Sequence, residues 1–272
     1  MPLQLDAVGI CPAILLPDPF EITAESFERV VRGATAAGFD AFSFWSFWPT
    51  TYGVERARDL LGSLGATVPV VEAATQWSHG LHRAAAEAGP LVDVAARLGA
   101  PTVAACCLEP QVESWVVGVA GFRALCDAAR DAGLRVCVEF LPGTGIPDLA
   151  TAWRLLEESG AENGGILLDM MHWHRQKGGP DFALLEQVPG DRIHYVQICD
   201  TVTGPVRSDT YMAEAMSDRR LPGQGMVDIA RLLTTLEQIG ADPWFAYEVF
   251  NHSLAAEGVD AMAQRLAACH IG

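Results

Sequence analysis

The sequence predicts an α/β protein, a single (β/α)8 TIM barrel domain spanning residues 1–272, and three observations carry that prediction. Eight strand-like apolar stretches recur at intervals of a few tens of residues, each followed by a helical pattern. Several helices run into a glycine suited to a C-cap. The strand-like stretches are continuously apolar, as in VPVV at 68–71 and VAACCL at 103–108, and strands of that kind are covered on both faces, as parallel sheets require. Eight such units describe a closed barrel better than a doubly wound sheet.

The first unit joins a strand at 8–15 to a helix at 23–37, ended by Gly38; the second joins 39–45 to 54–64, ended by Gly65. A strand at 67–73 leads to a helix at 83–99 with Gly99, and one at 102–108 to a helix at 116–132 with Gly133. The fifth unit is 135–140 with 148–159 and Gly160, and the sixth is 165–169 with 182–188. The last two are 193–199 with 226–240 and Gly240, and 244–249 with 255–269. The longest irregular stretch, 200–225, falls on the rim where barrel enzymes keep their chemistry, and loops this long are usually functional.

With 272 residues, 50% of them hydrophobic, the chain has the material for a large core in one domain. A net charge of −16 and a pI near 4.7 oppose a nucleic-acid partner, whose phosphates would meet a like-signed field. The N-terminal stretch lacks a basic n-region and no apolar run approaches the roughly 18 residues of a membrane span, so a cytoplasmic protein is expected. The seven cysteines are odd in number and contain no CxxC pair, which disfavours a disulfide framework and a thiolate zinc site; most read as small buried hydrophobes.

Four acid or amide side chains stand at the ends of apolar runs: Glu139 in VCVEF, Asp169 in GGILLDMMH, Gln197 in IHYVQICD and Glu248 in WFAYEVF. If those strands are parallel neighbours, the four groups gather at one rim. Buried carboxylates need a partner, either a basic side chain or a metal. An all-oxygen donor set favours Mg²⁺ or Mn²⁺ over Zn²⁺. His172, three residues after Asp169, is placed to face the same cavity as acid, base or hydrogen-bond donor. In DRRLPGQG at 218–225, Arg219 and Arg220 precede a tight turn and are candidates to clamp an anionic substrate group. Trp45, Phe47, Trp48, Trp77 and Trp173 follow strand ends and suggest a partly apolar pocket, with Trp45, Trp77 and Trp173 as candidate substrate contacts. P-loop, GxGxxG and nucleophile-elbow motifs are missing.

The ordered set VEFLP, LLDMMH, VQICD, RLPGQG and YEVF resembles the xylose isomerase-like TIM barrel superfamily over essentially the whole chain. The resemblance implies that Glu139, Asp169, Gln197 and Glu248 bind a divalent metal. It also implies that His172 faces the substrate and that Arg219 or Arg220 binds it. Ketose epimerases usually carry histidine where this chain has Gln197; glutamine is more like the dehydroshikimate dehydratase branch, although VVEAATQW on the third strand lacks the basic residues expected for a dehydroshikimate carboxylate. The histidines of the endonuclease branch are incomplete.

The expected chemistry is proton removal next to a carbonyl of a sugar-like or cyclic hydroxyketone, with Glu139 or Glu248 as base and Mn²⁺ or Mg²⁺ as cofactor. Isomerisation or epimerisation leads. Dehydration follows, and a non-catalytic ligand-binding barrel is the reading from another class. A small-molecule substrate and a homodimer are the expected partners.

Overall fold

The computed structural model describes residues 3, 8–112, 114–206, 210–269 and 271. Eight parallel strands close on themselves in sequence order. They are β1 (Gly9–Ile10), β2 (Ala41–Trp45), β3 (Thr67–Ala74), β4 (Thr102–Cys106), β5 (Arg135–Glu139), β6 (Gly164–Asp169), β7 (Ile193–Ile198) and β8 (Trp244–Tyr247). β1 seals the barrel by pairing Gly9 with Ala246 and Ile10 with Phe42. The first strand is much shorter than the expected 8–15, because Pro12 opens a 3₁₀ turn over Pro12–Leu15.

Around the barrel run α1 (Ala24–Ala36), α2 (Phe47–Tyr52), α3 (Val54–Leu64), α4 (Leu81–Leu98), α5 (Trp115–Asp131) and α6 (Leu149–Ser159). They continue as α7 (Met170–Arg175), α8 (Phe182–Leu185), α9 (Tyr211–Ala215), α10 (Ile229–Gln238), α11 (His252–Ala255) and α12 (Val259–Ala267). The long helices follow familiar chemistry. α1 starts at a Thr23–Ser26 capping box and buries Phe27, Val30, Val31 and Ala34, a stripe at helical spacing. Asp148 caps α6 by accepting from the Thr151 N–H, and Asp228 caps α10 through the Arg231 N–H. α2, α7, α9 and α11 are the additions to the expected pattern, and α9 lies inside the stretch expected to be irregular.

Strand periodicity positions the site. Val70, Ala104, Cys137, Leu167, Tyr195 and Ala246 form an apolar plug of their own, separate from the larger core between strands and helices. Successive side chains on a strand alternate faces, so two residues beyond each plug residue the chain again points inward. Those positions are Glu72, Cys106, Glu139, Asp169, Gln197 and Glu248. Among the described residues no helix is long and apolar enough to cross a membrane. Six cysteines are buried and unpaired, with Cys269 partly exposed.

The sheet also contains a buried titratable group away from this layer. The His194 ring lies against Gly165, where an added Cβ would come within 2.4 Å of it. Burial, then the charge of Arg135, depresses its pKa to about 4. An imidazole with a folded pKa below its unfolded value of about 6.5 stabilises the fold fully above that pH, and the contribution is lost as pH falls toward 4. The acid loss is expected to reach about 3 kcal/mol. In His194→Gln, the melting temperature should therefore change much less between pH 6.5 and 4 than in the parent; equal slopes would contradict this assignment.

Candidate active site

At the C-terminal rim of the strands, four carboxyl groups and one guanidinium share a buried space. Arg219 is 2% exposed. Its Nη1 donates to Asp169 Oδ2 at 2.5 Å and to the Glu248 backbone oxygen at 3.1 Å, and lies 3.1 Å from Glu248 Oε2. Its Nε donates to the Ala215 oxygen at 2.7 Å. Gln197 Nε2 donates to Glu248 Oε1 at 2.9 Å and to Glu72 Oε2 at 3.3 Å. With the amide nitrogen on the side of these two carboxyl groups, the amide oxygen faces the other way. That Oε1 atom, like Glu72 Oε1, is buried with no hydrogen-bond partner among the described residues.

Glu139 and His172 form the second half. His172 Nε2 stands 3.3 Å from Glu139 Oε1, while its Nδ1 contacts the Tyr211 hydroxyl and lies 3.7 Å from Asp169 Oδ1. Burial, then the Asp169 charge, pushes the Tyr211 phenol far above its usual range, so it stays an O–H beside Nδ1; in the ring tautomer that accepts this hydrogen, Nε2 carries its own toward Glu139. Asp169 also caps α7, its Oδ1 accepting from the His172 N–H at 2.9 Å.

The charges respond to this crowding. Burial, then the charge of Glu139, raises the Glu72 pKa to about 8. Burial raises Glu248 well above the carboxylate range; Arg219 opposes this, but Glu72, Asp169 and Glu139 add to it. Asp169 goes the other way: burial pushes it up, but Arg219 and His172 outweigh that and hold it low.

The loops that place Arg219 explain two sequence motifs. Asp200, ending VQICD, accepts from the backbone N–H groups of Thr201, Gly225 and Val227 at 2.8, 2.8 and 3.0 Å. Asp200 and Arg220 exchange backbone hydrogen bonds at 2.9 and 2.8 Å. On its other flank Arg219 N–H donates to the Phe250 oxygen at 2.9 Å, and Asn251 Nδ2 donates to the Arg219 oxygen at 2.8 Å. Arg219 together with RLPGQG is thus a clamp between the loops after β7 and β8. Arg175, paired with Glu214 at 2.7 Å, holds α9 so that Tyr211 reaches His172.

Glu139, His172, Arg219 and Glu248 line one cavity of about 340 Å³, joined there by Glu72. Asp169 and Gln197 stand behind them, fully buried. Trp45 is in the wall, with Phe20, Phe47 and Phe250. Other expected contacts lie elsewhere. The Trp77 indole N–H donates to the Cys106 oxygen at 3.0 Å, and its ring packs edge-on against Phe122. Trp173 packs edge-on against Phe182. Trp48 is buried and donates to the Pro19 oxygen at 3.0 Å. Arg220 faces outward and pairs with Asp218 at 3.0 Å. Adjacent residues on an extended segment point to opposite sides, so only one of the two arginines enters the site. Glu72 was missed by the sequence reading, although VPVVE ends an apolar run in the same way as the other strands.

Glu139, Asp169 and His172 offer ligand atoms that all lie within 4.8 Å of one another. Gln197 Oε1 and Glu72 Oε1 are further buried oxygens of the same layer that lack a partner among the described residues. Three buried carboxyl groups and the partly exposed Glu139 share the site with one guanidinium, and a divalent cation fits that excess of negative charge.

A family model described as xylose isomerase-like TIM barrel matches residues 31–269. The chain belongs to the xylose isomerase-like TIM barrel family. This barrel is 28% identical over 138 residues to the inosose isomerase of Bacillus subtilis, covering 49% of this chain and 47% of that protein. It is 29% identical over 135 residues to the 3-dehydroshikimate dehydratase of Pseudomonas putida, covering 49% of this chain and 20% of that protein. The alignments thus span less than half the length of either curated relative. Among solved structures, the barrel matches the IOLI protein with a bound zinc atom at TM-score 0.79 and 18% identity, over 98% of this chain and 95% of that one. It matches D-allulose 3-epimerase from Methylomonas sp., in complex with D-allulose, at TM-score 0.74 and 19% identity, over 96% and 93%. At these identities the likeness is one of fold.

The clamp has a measurable consequence. A Cβ on Gly225 would stand 2.3 Å from both Asp200 Oδ1 and the Thr201 oxygen. Gly225→Ala is expected to destabilise the protein by about 2 kcal/mol in denaturant unfolding, whereas the same change at Gly204, which has open space around it, should cost much less.

Proposed function

We propose that this chain is a divalent-metal-dependent isomerase or epimerase that removes a proton beside a carbonyl of a sugar-like or cyclic hydroxyketone. One observation carries the reading: Glu139, Asp169, Gln197 and Glu248 converge with Glu72 at one rim, in a buried layer whose carboxyl groups outnumber its guanidinium. Glu139, Asp169, Gln197 and Glu248 would hold the ion. The oxygen donors suit Mn²⁺ or Mg²⁺, and when bound such an ion supplies Lewis acidity for charge developing on the substrate oxygen.

The protein groups handle the proton. Glu139, whose side chain is 13% exposed and lines the cavity, takes it from the carbon. His172, oriented by Tyr211 and Asp169, donates its Nε2 hydrogen toward that carboxylate and keeps it aimed. Glu248 and Glu72, both shifted upward by burial, are carboxyl groups able to return a proton from another side of the cavity. Arg219 has its guanidinium committed to Asp169 and Glu248 while also lining the cavity, so it positions those two carboxylates and presents its remaining edge to substrate oxygens.

Dehydration is the second reading, favoured by Glu72. A β-hydroxyl needs an acid to leave, and the cavity holds a carboxyl beyond the Glu139 and Glu248 pair. With candidate hydroxyketones, isomerisation or epimerisation gives an isobaric product in H2O and a product carrying solvent deuterium in D2O, while dehydration removes a water mass in either. Glu139→Gln is expected to lower kcat by at least about 10²-fold. Unchanged turnover in this variant and in Glu248→Gln would defeat the proposal.

Metal binding tests the charge argument separately. Carboxyl groups with raised pKa values carry protons in the metal-free protein, and a cation favours their ionised forms. Binding Mn²⁺ near pH 7 should therefore release protons, and affinity should rise with pH toward about 8, where Glu72 titrates. Titration calorimetry in buffers of different ionisation enthalpy measures the release; no release would contradict this part.

A further inference from the structure

The cavity is lined by ionisable groups at its buried floor and mainly by apolar side chains toward its more exposed mouth, with Ser46 and Thr75 adding hydroxyls to the wall. The floor carries Glu72, Glu139, His172, Arg219 and Glu248. Above it, Phe20, Trp45, Phe47 and Phe250 form a continuous train of rings. Centroids are 5.2 Å apart for Phe20 and Trp45, 5.9 Å for Trp45 and Phe47, and 5.7 Å for Trp45 and Phe250. Met212 and Met216, from α9 and its C-terminal end, also line the cavity, as does Leu108 from the loop after β4.

Several of these side chains stay open to solvent. Phe20 is 67% exposed, Leu108 54%, Met212 39% and Phe47 37%. Large apolar groups scattered singly on a surface are ordinary, but four around one cavity mouth form a patch that a ligand would cover. A polyhydroxylated sugar needs hydrogen-bond partners along its length, and the ring train offers a single donor, the Trp45 indole N–H. Aromatic rings and methionine sulfur instead favour another aromatic ring.

We infer that the substrate is amphipathic: a hydroxyketone head seated on the carboxylate floor, carrying an aryl substituent packed against Phe20, Trp45 and Phe250. This rests on the carbonyl chemistry proposed above and specifies its substrate class. A subunit interface would equally cover exposed rings, but Trp45 and Phe250 face the same enclosed space as Glu139 and Arg219, which favours a small ligand spanning both zones.

The test compares two α-hydroxyketones that differ only in their apolar end, 2-hydroxyacetophenone and hydroxyacetone, titrated calorimetrically into Mn²⁺-loaded protein. The phenyl compound is expected to bind at least tenfold more tightly. The ratio should fall below threefold in Phe20→Ala and in Trp45→Ala; Phe20 is exposed, so its truncation leaves the core intact. Equal affinities in the parent protein, or a ratio unchanged in both variants, would overturn the inference. A change of oligomeric state in Phe20→Ala by sedimentation, with the ratio unchanged, would likewise overturn it and assign the rim to a subunit interface. An aryl preference that persists in EDTA yet disappears in the variants supports the aryl subsite and counts against the metal reading alone.

Discussion

The structure is organised around an electrostatic imbalance: Glu72, Glu139, Asp169 and Glu248 are gathered where water is scarce, with the Arg219 guanidinium between two of them. Isolated charges are costly to desolvate, and one cation does not neutralise four anions. The protein relieves the excess by keeping some carboxyls protonated, which is why burial drives Glu72 and Glu248 upward while Asp169, in direct contact with Arg219, stays low. A divalent cation would relieve it differently, replacing protons with fixed charge. The same crowding that makes this layer costly prepares it for metal and proton chemistry.

The barrel makes such a layer achievable. Closure fixes the inward direction of every strand, and an alternating backbone then repeats that direction two residues later. The apolar plug of Val70, Ala104, Cys137, Leu167, Tyr195 and Ala246 supplies the stability on which the polar layer rests. Arg219 comes from outside the strands, and its precise seat depends on backbone hydrogen bonds to Asp200, Phe250 and Asn251. The described parts of the long connection are fastened to the site by these bonds and by the Arg175–Glu214 pair.

Much of this was legible in the sequence because continuous apolar runs and glycine-ended helical patterns are strong signals for buried parallel strands and their return helices. The Glu139, Asp169, Gln197 and Glu248 positions were legible because charge or amide at the end of an apolar run is conspicuous. Glu72 carried the same mark on β3, but a reading centred on the last four strands passed over it. α2, α7 and α9 are six, six and five residues long, too short to display a helical period. Trp77, Trp173 and Arg220 show a different limit: proximity to a strand end does not tell which way a side chain turns. Arg219 and Arg220 have the same chemistry and adjacent positions, yet only tertiary hydrogen bonds decide which one is buried.

The clamp formed by Arg219 and RLPGQG divides the rim unequally. Loops after β7 and β8 are tied to each other and to the acidic floor, so a change in either is transmitted to Asp169 and Glu248 through Arg219. Phe20, Phe47 and Leu108, by contrast, stand on the early connections and touch the cavity through apolar surface alone. Substitutions at Phe20, Phe47 and Leu108 can therefore reshape the apolar wall without disturbing a hydrogen bond of the clamp, whereas Phe250, which joins the wall to the clamp, has no such freedom.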